Sequence, residues 1–114
     1  RWGYTPLESV AFVVLSITTT LAGFGLWALD SGRKGIKNAG VEVVERTDSN
    51  YGDAVAAITD ELRSLTCAPA SDIKSAREGA MDTAAMAQWT DFIKYYDEAY
   101  CDALHTRDNR VKEK

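Results

Sequence analysis

A long uncharged run dominates the start of the chain. No residue from Ser9 to Leu29 carries a charge, a stretch of 21 residues. In a helix such a stretch is roughly 31 Å long, about the thickness of the hydrocarbon core of a bilayer. The pattern predicts one membrane-spanning helix.

Helix-boundary signals bracket this run. Thr5 and Glu8 have the spacing of a capping box, and Pro6 suits the first helical position, where its missing N–H costs nothing. A glycine and several basic residues mark the end. The transmembrane helix is therefore predicted over Thr5–Leu29, within a first segment of residues 1–32.

Two alternatives fit the run less well. A buried helix of a soluble protein is usually shorter and carries a polar stripe, which this run lacks. A secretory signal peptide has an apolar core of ~7–15 residues followed by a small-x-small cleavage site. The sequence WALDSG at the end of the run matches such a site poorly. The pattern thus favours a membrane span.

Small residues lie along one side of the predicted helix. Ser16, Thr19, Thr20 and Gly23 recur at helical spacing, and small side chains let a partner helix approach closely. The opposite side is bulky and suits contacts with lipid, chlorophyll or carotenoid. Because the run lacks His, Asn and Gln, we expect no cofactor or metal to be ligated directly.

The rest of the chain predicts a short linker and a small helical domain. Residues 33–40 are basic and contain glycine, and Val41–Arg46 suits either a strand or a helical turn. The domain covers residues 41–114 and ends in a charged tail. Its first helix has an apolar stripe of Val55, Ile58, Leu62 and Leu65.

Two further helices are predicted after Pro69. The first places Ala76 and Ala80 on one face. The second carries the largest apolar face outside the membrane segment, made by Trp89, Phe92, Ile93, Tyr96 and Tyr100. We expect this aromatic face to pack against the stripe of the domain's first helix and close the domain.

Trp89 and Tyr95 are candidates for docking a neighbouring protein, because aromatic residues are enriched in interface cores. The predicted fold class is all-α, a single transmembrane helix followed by a small helical extramembrane domain.

Charge and cysteine content exclude several classes of protein. A net charge of −4 argues against a nucleic-acid partner, and two cysteines with one histidine do not form a zinc site. Cys67 and Cys101 fit one disulfide, with two free thiols as the alternative. Cys67 and His105 lack the flanking residues of a nucleophile and its base. No catalytic, metal-binding or cofactor-binding residues are therefore predicted, and the chain is not expected to be an enzyme.

The segment Trp2–Leu7, WGYTPL, resembles the W-G-x-T-P-L start of the membrane helix in the photosystem II reaction-centre protein H family. The resemblance covers about the first 30 residues and leaves 41–114 without a counterpart. It implies a single-pass accessory subunit of a photosystem in the thylakoid membrane of a plastid, with the C-terminal domain in the lumen. Larger membrane subunits, lipids and pigments are the partners it implies, and complex assembly the role.

Two signals conflict on orientation. Arg33, Lys34 and Lys37 follow the predicted helix, and the positive-inside rule then puts the C-terminal domain on the stromal or cytoplasmic side. A disulfide, like the resemblance, favours the lumen or another oxidising compartment.

The sequence therefore predicts a non-catalytic, single-pass structural subunit of a photosynthetic membrane complex that stabilises assembly by helix packing. Two alternatives stay open. One is a membrane-anchored extracytoplasmic adaptor or sensor domain, and the other is a supernumerary subunit of a respiratory complex.

Overall fold

The computed structural model describes residues 2–112, which form a mostly helical chain with a small parallel sheet. The end of the charged tail, residues 113–114, lies outside the described residues. In chain order the elements are α1 Tyr4–Ala11, β1 Ser16–Thr19, α2 Gly23–Asp30, α3 Ile36–Ala39, β2 Val41–Val44, α4 Tyr51–Thr66, α5 Ala70–Met86 and α6 Trp89–Lys112.

The uncharged run does not form one helix. It divides into the end of α1, strand β1 and helix α2. Among the described residues, no helix has the length and apolar character needed to cross a membrane. Residues 17–20 are all β-branched, and such side chains favour strands over helices. The predicted transmembrane helix and the all-α fold class are therefore wrong.

The two strands pair in parallel, with Ser16 opposite Val41 and Thr19 opposite Val44. A parallel pair needs a crossover connection, which α2 and α3 supply here. The segment for which strand and helical turn were left open thus contains a strand. The core cluster consists of Val10, Phe24, Ala28, Val41, Val43 and Ala80.

Residues 33–40, expected as a linker, contain α3 and pack closely on α5. A side-chain carbon at Gly40 would overlap Ala80, and one at Gly79 would overlap the carbonyl of Asn38. The backbones of α3 and α5 can approach this closely only because glycine occupies both positions.

A hydrogen-bonded network around Thr83 ties the same segment to α5. Thr83 is fully buried, and its hydroxyl donates to the carbonyl oxygen of Ala39 over 2.7 Å. The guanidinium of Arg33 donates to Thr83 Oγ1 and to the carbonyl oxygen of Gly79, each over 3.0 Å. The buried hydroxyl therefore has both a donor and an acceptor partner, as buried polar groups require.

Helices α4 and α6 bury much less of their apolar faces. Leu62 on α4 is 52% exposed and Trp89 on α6 is 58% exposed. The first turns of α6 reach the rest of the molecule through Phe92, whose ring centroid lies 5.5 Å from that of Trp2. The expected packing of the last helix against the α4 stripe is therefore wrong.

Candidate functional site

The starts of α1 and α2 lie side by side at the carboxyl end of β1. The amide of Phe24, in the first turn of α2, donates to the carbonyl oxygen of Trp2 over 2.7 Å. A side-chain carbon on Gly3, the residue before α1, would lie 3.6 Å from the Cβ of Ala22, the residue before α2. The amide of Ala22 in turn donates to the carbonyl oxygen of Thr19, the last residue of β1, over 3.1 Å.

Neither helix start is capped by a side chain. Gly3 and Ala22 occupy the N-cap positions and make no side-chain cap hydrogen bond, and the first turns contain no acidic residue. The first amides of a helix have no partner within the helix and carry the positive end of its dipole. The amide of Phe24 is used by Trp2 and Pro6 has no N–H, so the remaining first-turn amides of the two helices form the surface suited to an anion, such as a phosphate group.

A close backbone approach holds α2 against the end of β1. A side-chain carbon at Gly25 would overlap the carbonyl oxygen of Thr19. Glycine at this position therefore lets the first turn of α2 lie directly on the strand end.

The carboxyl ends of the two strands are also locked together. The Thr20 hydroxyl accepts from the amide of Arg46 over 3.0 Å, and the Thr20 amide donates to the carbonyl oxygen of Val44 over 3.1 Å. The side chain of Arg46 places a cation at this edge, where it contacts Asn50 Oδ1 at 3.4 Å. In open parallel sheets, ligands bind in the crevice outside the carboxyl ends of the strands.

A carboxylate pair lies elsewhere, in a cleft of about 450 Å³ between β2 and α4. Burial, and secondly the charge of Glu42, raise the pKa of Glu61 above its usual value. Close by, Lys37 Nζ lies 2.9 Å from Asp72 Oδ2, and the hydrogen bond to that carboxylate, followed by its charge, raises the pKa of Lys37. Within residues 2–112, no group of three or more His, Cys, Asp or Glu side chains could hold a metal ion.

The four residues predicted to line a helix–helix seam lie on different elements of the structure. Ser16 and Thr19 lie on β1, Thr20 lies in the turn after it, and Gly23 begins α2. The prediction that they share one helix face is therefore wrong, because these residues are not on one helix. Three of them meet instead at the β1–α2 turn, beside the anion-binding surface described above.

The other predicted residues do not meet. Cys67 follows α4 and Cys101 lies within α6, and both are free and exposed. Trp89 and Tyr95 are exposed on α6, and their docking role stays a prediction. The sequence interpretation missed the helix starts because it placed an N-cap at Thr5, whereas α1 begins at Tyr4 after Gly3.

Two parallel strands joined by a helical crossover define the class of this unit as α/β. The amino-acid sequence assigns the chain to a family within this class. The sequence model of the family "Glycogen synthase" matches residues 1–111. The chain therefore belongs to the glycogen synthase family.

A named relative agrees with this assignment. Over 65 residues the chain is 34% identical to a glycogen [starch] synthase of Neurospora crassa. The match covers 57% of this chain and 9% of the relative, so the chain spans only about a tenth of the length of the protein it matches.

The family assignment overturns the resemblance to photosystem II reaction-centre protein H. WGYTPL runs from two residues before α1 into its first turn, so the match of six residues reflects the start of a short helix in an α/β unit. The family assignment also contradicts four further predictions. These are the photosynthetic accessory subunit, its thylakoid location, its membrane-complex partners and the expectation that the chain is not an enzyme. The expected pigment and lipid contacts depended on a spanning helix, which the structure replaces with β1 and two short helices.

Proposed function

We propose that this chain forms the donor-binding part of a glycosyltransferase that builds an α-glucan. The family match over almost the whole chain supports the reaction class, and the relative's name, glycogen [starch] synthase, supports the product. The single structural observation that carries the proposal is the pair of uncapped helix starts at the carboxyl end of β1.

The chemistry of glucan synthesis calls for such a surface. The bond between the anomeric carbon of an activated glucose donor and its phosphate oxygen breaks, and a new bond forms to a hydroxyl of the growing chain. Negative charge develops on the departing phosphate. Backbone amides fixed in advance toward that charge stabilise it more in the transition state than in the bound donor.

The residues around the helix starts have supporting roles in this proposal. Gly25 lets the first turn of α2 lie on the end of β1, and a side-chain carbon on Gly3 would lie 3.6 Å from Ala22, so both glycines help to place the two helix starts close together. Thr20 holds the two strand ends in register by accepting from the amide of Arg46, and the Arg46 guanidinium lies by Asn50 and over the Tyr51 ring at the start of α4. The nucleoside diphosphate of a glucose donor is the ligand that this combination fits best.

Substitution of Ala22 by Asp tests the proposal. Ala22 already has the extended backbone of an N-cap, with φ −97° and ψ 136°. An aspartate there would accept from the α2 amides and raise stability by about 0.5–2 kcal/mol, while its charge competes with phosphate. We expect calorimetric titration with uridine or adenosine diphosphate to show binding by the native chain and at least roughly tenfold weaker binding by Ala22→Asp.

Two matched variants complete the experiment. Ala103→Asp adds the same charge on exposed α6 and should leave diphosphate binding unchanged. Ala22→Ser adds a neutral cap and should weaken binding less than Asp does. Unchanged binding in a folded Ala22→Asp chain, or equal affinity for the diphosphate and the bare nucleoside, would contradict the proposal.

A further inference from the structure

Helix α6 is exposed along almost its whole length. It has 24 residues and is about 36 Å long. Phe92, in its first turn, is half-buried, and every residue from Ile93 to Val111 is exposed to solvent. Most of α6 therefore makes little contact with the rest of residues 2–112.

A row of large apolar side chains runs along one side of this helix. Trp89, Tyr100 and Val111 recur at intervals of eleven residues. Ile93 and Leu104 have the same spacing. An eleven-residue repeat corresponds to about 3.67 residues per turn, close to the 3.6 of a straight helix, so these side chains stay on one side. We call this surface the α6 stripe; its residues are Trp89, Ile93, Tyr96, Tyr100, Leu104 and Val111.

The exposed area of the α6 stripe is large enough to call for a partner. A fully packed aromatic side chain buries about 150–250 Å². Because Trp89, Tyr96 and Tyr100 are 47–65% exposed, these three rings alone leave roughly 250–430 Å² in contact with water. The aliphatic residues enlarge the patch to the size at which exposed apolar surface marks an interaction site. Two such faces packed together approach the ~1,200 Å² at which stable interfaces begin.

The charges of α6 distinguish between kinds of partner. A helix that lies on a membrane surface typically has lysine and arginine on its polar face. At helical spacing, the side of α6 opposite the α6 stripe instead carries Asp91, Glu98 and Asp102, which anionic lipid head groups repel. The same carboxylates disfavour a nucleic acid. A second protein helix is therefore the partner that the α6 stripe fits better.

Charge is also divided unevenly along α6. Residues 89–102 contain four carboxylates and one lysine, whereas residues 103–111 contain two arginines and one carboxylate. Two copies of α6 in antiparallel arrangement place the acidic half of each helix beside the basic half of the other. A parallel arrangement places like charges together, which is unfavourable. The charge pattern therefore complements a second copy of the same helix in antiparallel orientation.

Arg107 gives the same orientation. It lies at a stripe position between Leu104 and Val111, so in a parallel pair it would face its own counterpart. In an antiparallel pair centred on Tyr100, it lies opposite Ile93 of the second copy. Asp97 of that copy is then one helical turn away, within reach of the arginine side chain.

We propose that the α6 stripe is a self-association surface, through which two copies of this chain pair by antiparallel packing of their α6 helices, centred near Tyr100. The pair covers the α6 stripe of both copies and brings Arg107 of each beside Asp97 of the other. It uses none of the residues assigned to donor binding, so this inference goes beyond the proposed function and does not depend on it.

Sedimentation equilibrium tests the pairing. We expect the native chain to dimerise with a dissociation constant of roughly 1–100 μM, as suits an interface of small area. Tyr100→Asp puts a carboxylate at the centre of the interface and should raise this constant at least about tenfold. Tyr95→Asp makes the same change at an exposed ring of α6 outside the α6 stripe and should leave it unchanged. Circular dichroism checks that both variants keep their helix content.

An exchange of charges tests the orientation. Asp97 and Arg107 are about 15 Å apart along one helix, too far to pair within a copy. Asp97→Arg and Arg107→Asp should each raise the dissociation constant roughly threefold or more at low salt. The double variant, in which the two charges are exchanged, should regain the native value.

Three results would overturn the inference. A native chain that is monomeric at about 1 mM would show that a partner other than a second copy covers the α6 stripe. Equal weakening by Tyr95→Asp and Tyr100→Asp would place the contact outside the α6 stripe. A double charge variant that dimerises no better than the single variants would rule out the antiparallel arrangement.

Discussion

Helices α4 and α5 have nearly the same length, 16 and 17 residues, yet they are buried to opposite degrees. α4 has the large apolar stripe, but Ala54 is its one buried residue and Val55 is 45% exposed. α5 buries four residues, all of them small: Ala76, Gly79, Ala80 and Thr83.

The comparison shows that side-chain size alone does not decide which helix is buried. Small residues on α5 let its backbone approach α3 until Gly40 and Ala80 are in contact. Close approach brings many atoms within range of dispersion attraction, although each side chain removes little area from water. The large stripe of α4 marks a face that is available for contact, and in the described residues most of that face lies in solvent.

The largest expected effect comes from filling the α3–α5 contact. Gly40 has a positive φ of 68°, and a side-chain carbon there would overlap Ala80. We expect Gly40→Ala to lower the free energy of unfolding by about 2–5 kcal/mol, from left-handed strain of about 1–2 kcal/mol and overpacking of about 1–3 kcal/mol. Urea denaturation followed by circular dichroism measures it.

Gly32 is the matched control for this substitution. It has the same φ of 68°, but nothing lies within 4 Å of the added carbon. Gly32→Ala should therefore show the strain alone, about 1–2 kcal/mol. Equal losses in the two variants would mean that the contact with α5 is not tight.

One threonine on each helix tests the difference in burial between α5 and α4 by a smaller change, the loss of a hydroxyl. Thr83 on α5 and Thr59 on α4 both have Oγ1 close to the carbonyl oxygen four residues earlier, at 2.9 and 2.7 Å, but only Thr83 is buried. Thr83→Val leaves the Arg33 donor and the Ala39 carbonyl without this partner and should cost about 1–3 kcal/mol.

Thr59→Val should cost less than about 0.5 kcal/mol, because water replaces the lost hydrogen bond at an exposed site. Thermal unfolding of both variants gives the difference. A loss in Thr59→Val as large as that in Thr83→Val would show that the two helices are equally buried in solution.

Part of this arrangement follows from the sequence. Helical spacing puts Ala76 and Ala80 on one face, and the stripe that includes Val55 and Leu62 marks a helix. The burial of the two helices does not follow, because it depends on the backbone approach of α3, which no local pattern encodes. In sequence, Gly79 looks like a weak point in its helix, whereas in the structure it makes the contact with Asn38 close.

In the first 30 residues, the sequence pattern alone predicts the wrong secondary structure. A run of 21 uncharged residues fits a membrane helix by length. Here the run is uncharged for another reason, because β1 and the helices beside it pack together in an α/β unit. Ser16–Thr19 forms a strand because it pairs with β2, whose first residue, Val41, lies opposite Ser16. This pairing partner is far from the run in sequence. The candidate site was hidden for the same reason, since Gly3 and Ala22 are recognised as uncapped positions only once the helix starts are known.

The smallest expected effect concerns the cleft between α4 and β2. Burial and the neighbouring Glu42 disfavour the charge of Glu61, so the pKa of this carboxyl is raised above 4.5 in the folded chain. Below pH 4.5 the group is largely protonated in both folded and unfolded chains and has little effect on stability. The pKa of Glu61 is lower in the unfolded chain than in the folded chain. As the pH rises through the range between these two pKa values, Glu61 becomes charged in its buried position and the folded chain loses stability.

Glu61→Gln removes that cost and should be more stable than the native chain at pH 7, by an amount that shrinks to nothing as the pH falls below 4.5. Thermal melts across this pH range measure the difference. Glu98→Gln makes the same charge change on exposed α6 and should follow the native curve. A Glu61→Gln chain whose advantage is the same at pH 4 and pH 7 would show that the cleft does not bury the carboxylate. α4 would then make even less contact with β2 than the structure gives it.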